Sequence, residues 1–401
     1  MKYQVLINTF TFFILCLFSG LANAQLLSIQ SADSLNGKPK KQFYSTAWIK
    51  MNMFYDHKGI PNVSAMHLPS IPTDRENVVD DPQVHADLNQ TRLIFASTFQ
   101  SEYLGEILSY IETDFYGSGG GGLRLRHAYI RFNNWRIGQS WSGFTDEEAW
   151  PNITDFDGPS TGAWVRSVQV TYFFRLQPNM DWSVGVELPT ADYSRYLAID
   201  TLVTPSKQTF PDLVSHYEVR WPKGHFQIAG VGRAIEYRNA SQNTVYKIGG
   251  GFSGSGSQIL FGRDKIIYQM AYGMGISRYL VSFGGGGWDA VPDGKGNLDL
   301  VPIYGGYVGY QLFWGKKKYA SRDYNHFSST FVYGYVNLNN PQYGTLGNPT
   351  LLTGSYASAN LYWNVVGPLN FAIEGIYGFR TDEFESSGQN IRIQTVAEYN
   401  F

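Results

Sequence analysis

Along the last eleven residues, Ile391, Ile393, Ala397, Tyr399 and Phe401 alternate with Arg392, Gln394, Glu398 and Asn400. The period of two in a strand puts these sets on opposite faces. In a soluble sandwich the apolar face would meet a core; in a transmembrane barrel it meets lipid while the polar face lines a lumen. The rest of the chain favours the barrel. Sixteen strands are predicted, at about 43–54, 89–100, 104–116, 123–132, 135–142, 163–175, 181–189, 212–222, 224–236, 246–257, 264–277, 304–315, 325–338, 351–365, 368–380 and 389–401. Their connections alternate in length. Long or medium ones fall at 55–88, 117–122, 143–162, 190–211, 237–245, 278–303, 339–350 and 381–388, and tight turns such as Asn133-Asn134, Pro222-Lys223-Gly224 and Val366-Gly367-Pro368 lie between them. Long loops at one end and short turns at the other are what an outer-membrane barrel produces. The fold class expected is all-β, an antiparallel transmembrane barrel of about 16 strands.

The N-terminus adds the compartment. Lys2, an apolar run from Val5 to Leu21 and then Ala22-Asn23-Ala24 read as a signal peptide over residues 1–24, cleaved before Gln25. Its apolar part is too short, and too interrupted by Asn8, Thr9 and Thr11, for a spanning helix. Cys16 is the one cysteine, so cleavage leaves a chain without disulfides, thiolate metal ligands or a cysteine nucleophile. It also removes one lysine and no acid, turning 31 basic residues into 30 against 33 acidic ones. Such near balance offers no field for nucleic acid. With 28 Tyr, 26 Phe, 10 Trp and 43 Gly, the composition is that of aromatic-girdled strands and turns. Residues 25–41, with Lys38-Pro39-Lys40-Lys41, read as a short periplasmic arm before a single barrel domain at 42–401.

From Leu123 onward the chain resembles the DcaP-like family of trimeric outer-membrane porins. The resemblance is carried by Leu123-Arg124-Leu125-Arg126-His127-Ala128-Tyr129, Gly138-Gln139-Ser140-Trp141-Ser142, Asp155-Phe156-Asp157-Gly158-Pro159, Pro211-Asp212-Leu213 and Tyr272-Gly273-Met274-Gly275-Ile276-Ser277-Arg278-Tyr279. It continues through Tyr304-Gly305-Gly306-Tyr307, Val332-Tyr333-Gly334-Tyr335-Val336 and Ile376-Tyr377-Gly378-Phe379-Arg380, and takes in Trp48-Ile49-Lys50 near the start. It implies a sixteen-stranded homotrimer that favours small anionic solutes, dicarboxylates above all, among outer-membrane lipid and lipopolysaccharide. Family members can carry a helical coiled-coil arm, for which this chain has too few residues before the barrel, so its trimer would rest on barrel walls.

Assigning the apolar member of each alternating pair to lipid turns a set of basic residues inward: Lys50, Arg92, Arg124, Arg126, Arg220, Arg233, Arg380 and Arg392. Tyr129 falls with Leu123 and Leu125 on the lipid side in this scheme. Guanidinium groups bind carboxylates through paired hydrogen bonds, which suits an anion that has shed water. The competing reading is that each arginine merely pairs with a lumen acid, for which Glu106, Glu112, Asp114, Glu218, Glu374 and Glu398 are candidates. The segment 143–162, with Asp146, Glu147, Glu148, Asp155 and Asp157, is the candidate constriction loop, folded inward to set acids against the arginine wall. The alternative is a loop that only covers the mouth.

Other signals are weaker. Asp155-Phe156-Asp157-Gly158 lacks the further ligands of a calcium loop. His57, His67 and His85 lack ligand spacing and read as solvated loop residues, so no metal or cofactor is expected. Gly117 to Gly122 lacks the Gly-Lys-Ser/Thr of a phosphate loop and reads as a hairpin end; Gly249-Gly250-Gly251 and Gly284 to Gly287 read as turn or close-packing glycines. A barrel lipase or protease would need a partnered histidine, and His127, His216 and His225 lack a partner motif. An energised receptor needs a plug domain that residues 25–41 cannot supply. A phosphate-selective porin would use the same arginine wall with more lumen lysines than Lys50.

Overall fold

A computed structural model describes residues 27–61, 64–76, 81–117, 119–193, 202–315, 326–342 and 351–401. The expected signal peptide, residues 1–24, lies outside them. Sixteen long strands form the wall: β1 (Lys41–Asp56), β2 (Arg92–Ser101), β3 (Gly105–Gly117), β4 (Gly122–Phe132), β5 (Trp135–Trp141), β6 (Arg166–Gln177), β7 (Met180–Glu187) and β8 (Asp212–Trp221), then β9 (Gly224–Arg238), β10 (Thr244–Ile259), β11 (Lys265–Met274), β12 (Pro302–Phe313), β13 (His326–Leu338), β14 (Leu351–Val366), β15 (Leu369–Asp382) and β16 (Ser387–Asn400). Each pairs antiparallel with the next, and the sheet closes where β16 meets β1, from Asn400 on Trp48 to Arg392 on Asp56. Closure leaves no unpaired edge in lipid, as an all-strand span requires. All sixteen predicted strands are present.

The alternation in β1 and β16 is that of a lipid-facing wall. Ile49, Met51, Met53, Tyr55, Ile391 and Ile393 are exposed outward, while Lys50, Asn52, Phe54, Asp56, Arg392 and Gln394 are buried inward. In β4 an irregularity shifts the register: Glu112 pairs with His127, but Thr113 pairs with Leu125. The extra residue flips every side chain after it. Tyr129 therefore faces inward, stacked on Tyr110 at 5.3 Å, rather than toward lipid as simple alternation assigns it.

Below the C-terminus, a short strand at Leu27–Gln30 continues the line of β16 and pairs with Gln42–Ser45 of β1. The seven turns at this end are short or medium, and the eight connections at the other end include three long ones that fold inward: L1 (57–91), L3 (142–165) and L6 (275–301). Their apolar residues Ile60, Met66, Leu68, Ile71, Phe144, Trp164, Ile276, Tyr279 and Phe283 join Ile267, Ile303, Tyr307, Val332, Val336, Tyr356 and Ile376 from the wall in one cluster. On the β11–β15 side, both faces of the wall are thus apolar, one for lipid and one for the inserted loops. Gly251 and Gly273, opposite each other in β10 and β11, make room there: a Cβ on Gly251 would lie 2.8 Å from Ile276 Cδ1 and 2.5 Å from the Tyr272 carbonyl oxygen. These are close-packing glycines. The run at Gly119 to Gly121 makes a hairpin end through three positive φ angles.

Candidate functional site: a cationic passage beside an inserted loop

L3 is anchored along the inner wall. The Ala149 carbonyl accepts from Tyr307 Oη of β12 at 2.9 Å, and the Asn152 carbonyl from Asn360 Nδ2 of β14 at 2.9 Å. Thr154 is the hub. Its Oγ1 donates to Glu374 of β15 at 2.6 Å, its N–H donates to the same carboxylate, and its carbonyl accepts from Gln394 Nε2 of β16 at 2.9 Å and Lys50 Nζ of β1 at 3.3 Å. On the return, Ala163 N–H donates to Gln269 Oε1 of β11 at 2.6 Å. L3 therefore hugs the half of the wall from β9 round to β1.

Asp146 caps the short turn Glu147–Ala149 by accepting from Glu148 N–H. It also accepts from Ser255 Oγ at 2.7 Å and faces His225 Nε2 at 2.9 Å. Asp155 accepts from the Met66 amide of L1 at 3.1 Å. Burial, reinforced by Asp155, pushes the Asp157 carboxyl up to about 6. Glu147 and Glu148 are exposed. Of the loop histidines, His57 is exposed, whereas His67 and His85 are half-buried rather than fully solvated. His67 sits 2.5 Å from Ser70 Oγ.

Between L3 and the opposite wall lies a cavity of about 640 Å³, counting its open mouths. Its cationic border is Lys50, Arg92, Arg126 and Arg166; its aromatic border is Trp48, Trp141, Trp150, Trp164 and Phe156. Arg126 bridges Glu112 at 2.7 Å and Asp114 at 2.9 Å, and Arg124 forms a fork on Asp114 at 2.9 and 2.6 Å. Arg92 is 3.5 Å from Glu112 and lies over the Trp48 ring at 4.6 Å. Arg92, Arg124 and Arg126 thus share two strand carboxylates, Glu112 and Asp114, while Lys50 lies beside Glu398, Glu374 and Asp155, and Arg166 near Asp114 and Asp157. Burial raises the carboxyl groups of both L3 aspartates, Asp155 and Asp157.

The other predicted basic residues are placed differently. Arg392 is sealed against Asp56 at 2.8 Å, Arg380 reaches Glu76 of L1 at 2.5 Å, and Arg233 bridges Asp212 at 3.0 Å and Asp289 of L6 at 2.9 Å. Their side chains are at most 5% exposed, so Arg380 and Arg233 hold loops and Arg392 joins β16 to β1 rather than facing open lumen. For these three, the pairing reading describes the geometry. Arg220, on β8, meets Glu148 at 3.1 Å, Asp181 at 2.9 Å and Glu218 at 2.7 Å.

Arg166 is absent from the sequence-derived set. By parity it goes with Val168 and Val170, which face lipid, yet it is the first residue of β6 and points into the cavity. Only the path of L3 into β6 turns it inward. Trp150 and Trp164 reach the cavity for a related reason, since both precede β6 on the inward path of L3.

A family model described as DcaP outer membrane protein matches residues 23–401. The chain belongs to that family. DcaP proteins are outer-membrane channels, and this one has the porin architecture. It resembles the crystal structure of the outer membrane channel DcaP of Acinetobacter baumannii, with TM-score 0.75 and 21% identity over 93% of this chain and 100% of that one. An anion-selective porin from Comamonas acidovorans aligns with TM-score 0.57 and 9% identity, over 90% of this chain and 100% of that one. OprB of Pseudomonas putida aligns with TM-score 0.51 and 10% identity, over 89% and 94%. At these identities the likenesses establish the fold. A search of curated proteins finds no match.

Proposed function

We propose that this DcaP-family chain is a passive diffusion porin that favours small organic anions, carboxylates and dicarboxylates, and performs no chemistry on them. The observation that carries this reading is the row of cations bordering the passage, Lys50, Arg92, Arg126 and Arg166, of which Arg166 has no hydrogen-bonded carboxylate among the described residues. Several separate cationic groups suit a solute with two carboxylates, because each can replace part of the hydration lost on entry. L3 acts as the constriction, setting the width against this wall. The signal peptide is removed after Ala24, and the mature barrel assembles as a homotrimer through its outer walls, as the family resemblance implies.

The test is the reversal potential of the reconstituted full-length protein in a planar bilayer under a salt gradient. An anion-directed potential is expected, moving toward zero in K50Q/R92Q; a cation-directed potential in the unaltered protein refutes the reading.

A further inference from the structure

The passage is more aromatic than a path for inorganic anions requires. Trp141 and Trp150 meet edge to face at 4.8 Å, and Trp150 and Trp164 at 5.8 Å. Arg166 lies over the Trp141 ring at 4.7 Å, and Lys50 lies over Trp48 at 5.3 Å. Water gains nothing from such walls, and leaving indole faces wet forgoes the stabilisation of covering them. A polar observation points the same way. Among the described residues, nothing forms a hydrogen bond or ion pair with the Arg166 guanidinium, which borders the cavity beside the Trp141 indole. A cation without a partner beside an open cavity is better satisfied when a ligand supplies an acceptor.

We infer that the cavity is a saturable binding site for carboxylates carrying a flat aromatic body, with Arg166 as the residue that holds the carboxylate. This rests on the anion-preferring reading above and narrows it. The ring of the solute lies against the indoles, where its π face and edge find complementary quadrupoles. Its carboxylate takes the free N–H groups of Arg166. A neutral sugar would also stack, but it would leave the positive charges unmet. Small aliphatic dicarboxylates pass the same cations without the ring contacts, and so dwell for less time.

The experiment compares benzoate with cyclohexanecarboxylate as blockers of the potassium chloride current through the full-length protein in planar bilayers. The two carry the same charge on a ring of the same size, and differ in flatness and π character. Benzoate is expected to block saturably, with a half-blocking concentration about tenfold lower than that of its saturated analogue, since aromatic pairing and one charge-assisted hydrogen bond are each worth roughly that factor. R166Q should raise the benzoate value about tenfold, and W150L should bring the two blockers together. R175Q, a change at an exposed residue toward the other end of β6 from Arg166 and paired with Asp181, should leave both values alone. Heat-modifiable migration on a denaturing gel establishes that each variant has folded. Equal block by the two carboxylates, equal block by glucose, or an unchanged half-block in R166Q overturns the inference. A cation-directed reversal potential in the same membranes overturns instead the reading beneath it.

Discussion

The seat of L3 can be perturbed at a single atom pair. Glu374 is fully buried, and its carboxylate receives both the N–H and the Oγ1 of Thr154. Hydrogen bonds to a charged group are each worth about 1.5–3 kcal/mol, so the pair contributes about 3–6 kcal/mol before the desolvation of the carboxylate is subtracted. Both bonds end on the same carboxylate oxygen, so E374Q keeps the volume and can keep an amide oxygen as their acceptor but loses the charge. The two bonds then fall from the charged to the neutral range, a net loss of roughly 2–3 kcal/mol. At 1.4 kcal/mol per factor of ten, the loop tip should detach about ten to a hundred times more often. The bonds from Lys50 and Gln394 to the Thr154 carbonyl remain in place, so the barrel itself should survive. Single-channel recording is the assay, and E374Q should show brief excursions to higher conductance above the wild-type level. T154V removes only the Oγ1 bond and should show fewer of them, and the double variant should show little more than E374Q alone because the two changes share a partner. If E374Q folds and its conductance and current noise match wild type, Thr154 does not restrain the loop and the reasoning fails.

Three further outcomes are expected. Asp157 is raised by burial, to about 6, so its neutral form fits the folded loop; the stability this gives is full below the ordinary carboxylate range and is lost as pH rises through that value. Raising pH from 5 to 8 should therefore add negative charge to L3 and bring the reversal potential closer to zero, and a potential more anion-directed at pH 8 would contradict this. R392M strands Asp56 in a site where neither side chain exceeds 1% exposure, at a cost of about 3–5 kcal/mol, whereas R392M/D56N should regain much of the loss; the temperature at which the folded gel band disappears measures both. G251V drives a side chain into Ile276 and should make L6 cut faster in limited proteolysis, with a stability loss of about 1–3 kcal/mol; cleavage at the wild-type rate would show that the glycine pair does not seat the loop.

The barrel was legible in the chain because a lipid-facing strand must alternate, and because turns and loops differ in length at the two ends. Both are local properties, written within ten or so residues of each strand. Inward basic positions on those strands were legible for the same reason, and the competing expectation that acids would pair with them was equally legible. Parity does not encode where the large loops travel. Whether Arg392 and Arg233 meet solvent or a carboxylate depends on Asp56 in the first strand and Asp289 in L6, partners brought near by closure and by a loop 56 residues away in sequence. The register shift before Tyr129 broke the alternation that carried the assignment. Arg166 and the loop tryptophans came together only because L3 turns inward along one half of the wall, leaving the opposite half open. Sequence alone determined a sixteen-stranded membrane barrel with cations on its inner face, since lipid imposes a period of two on every strand. The tertiary structure decided which of those cations remain available to a solute, because neutralisation depends on the approach of segments distant in the chain.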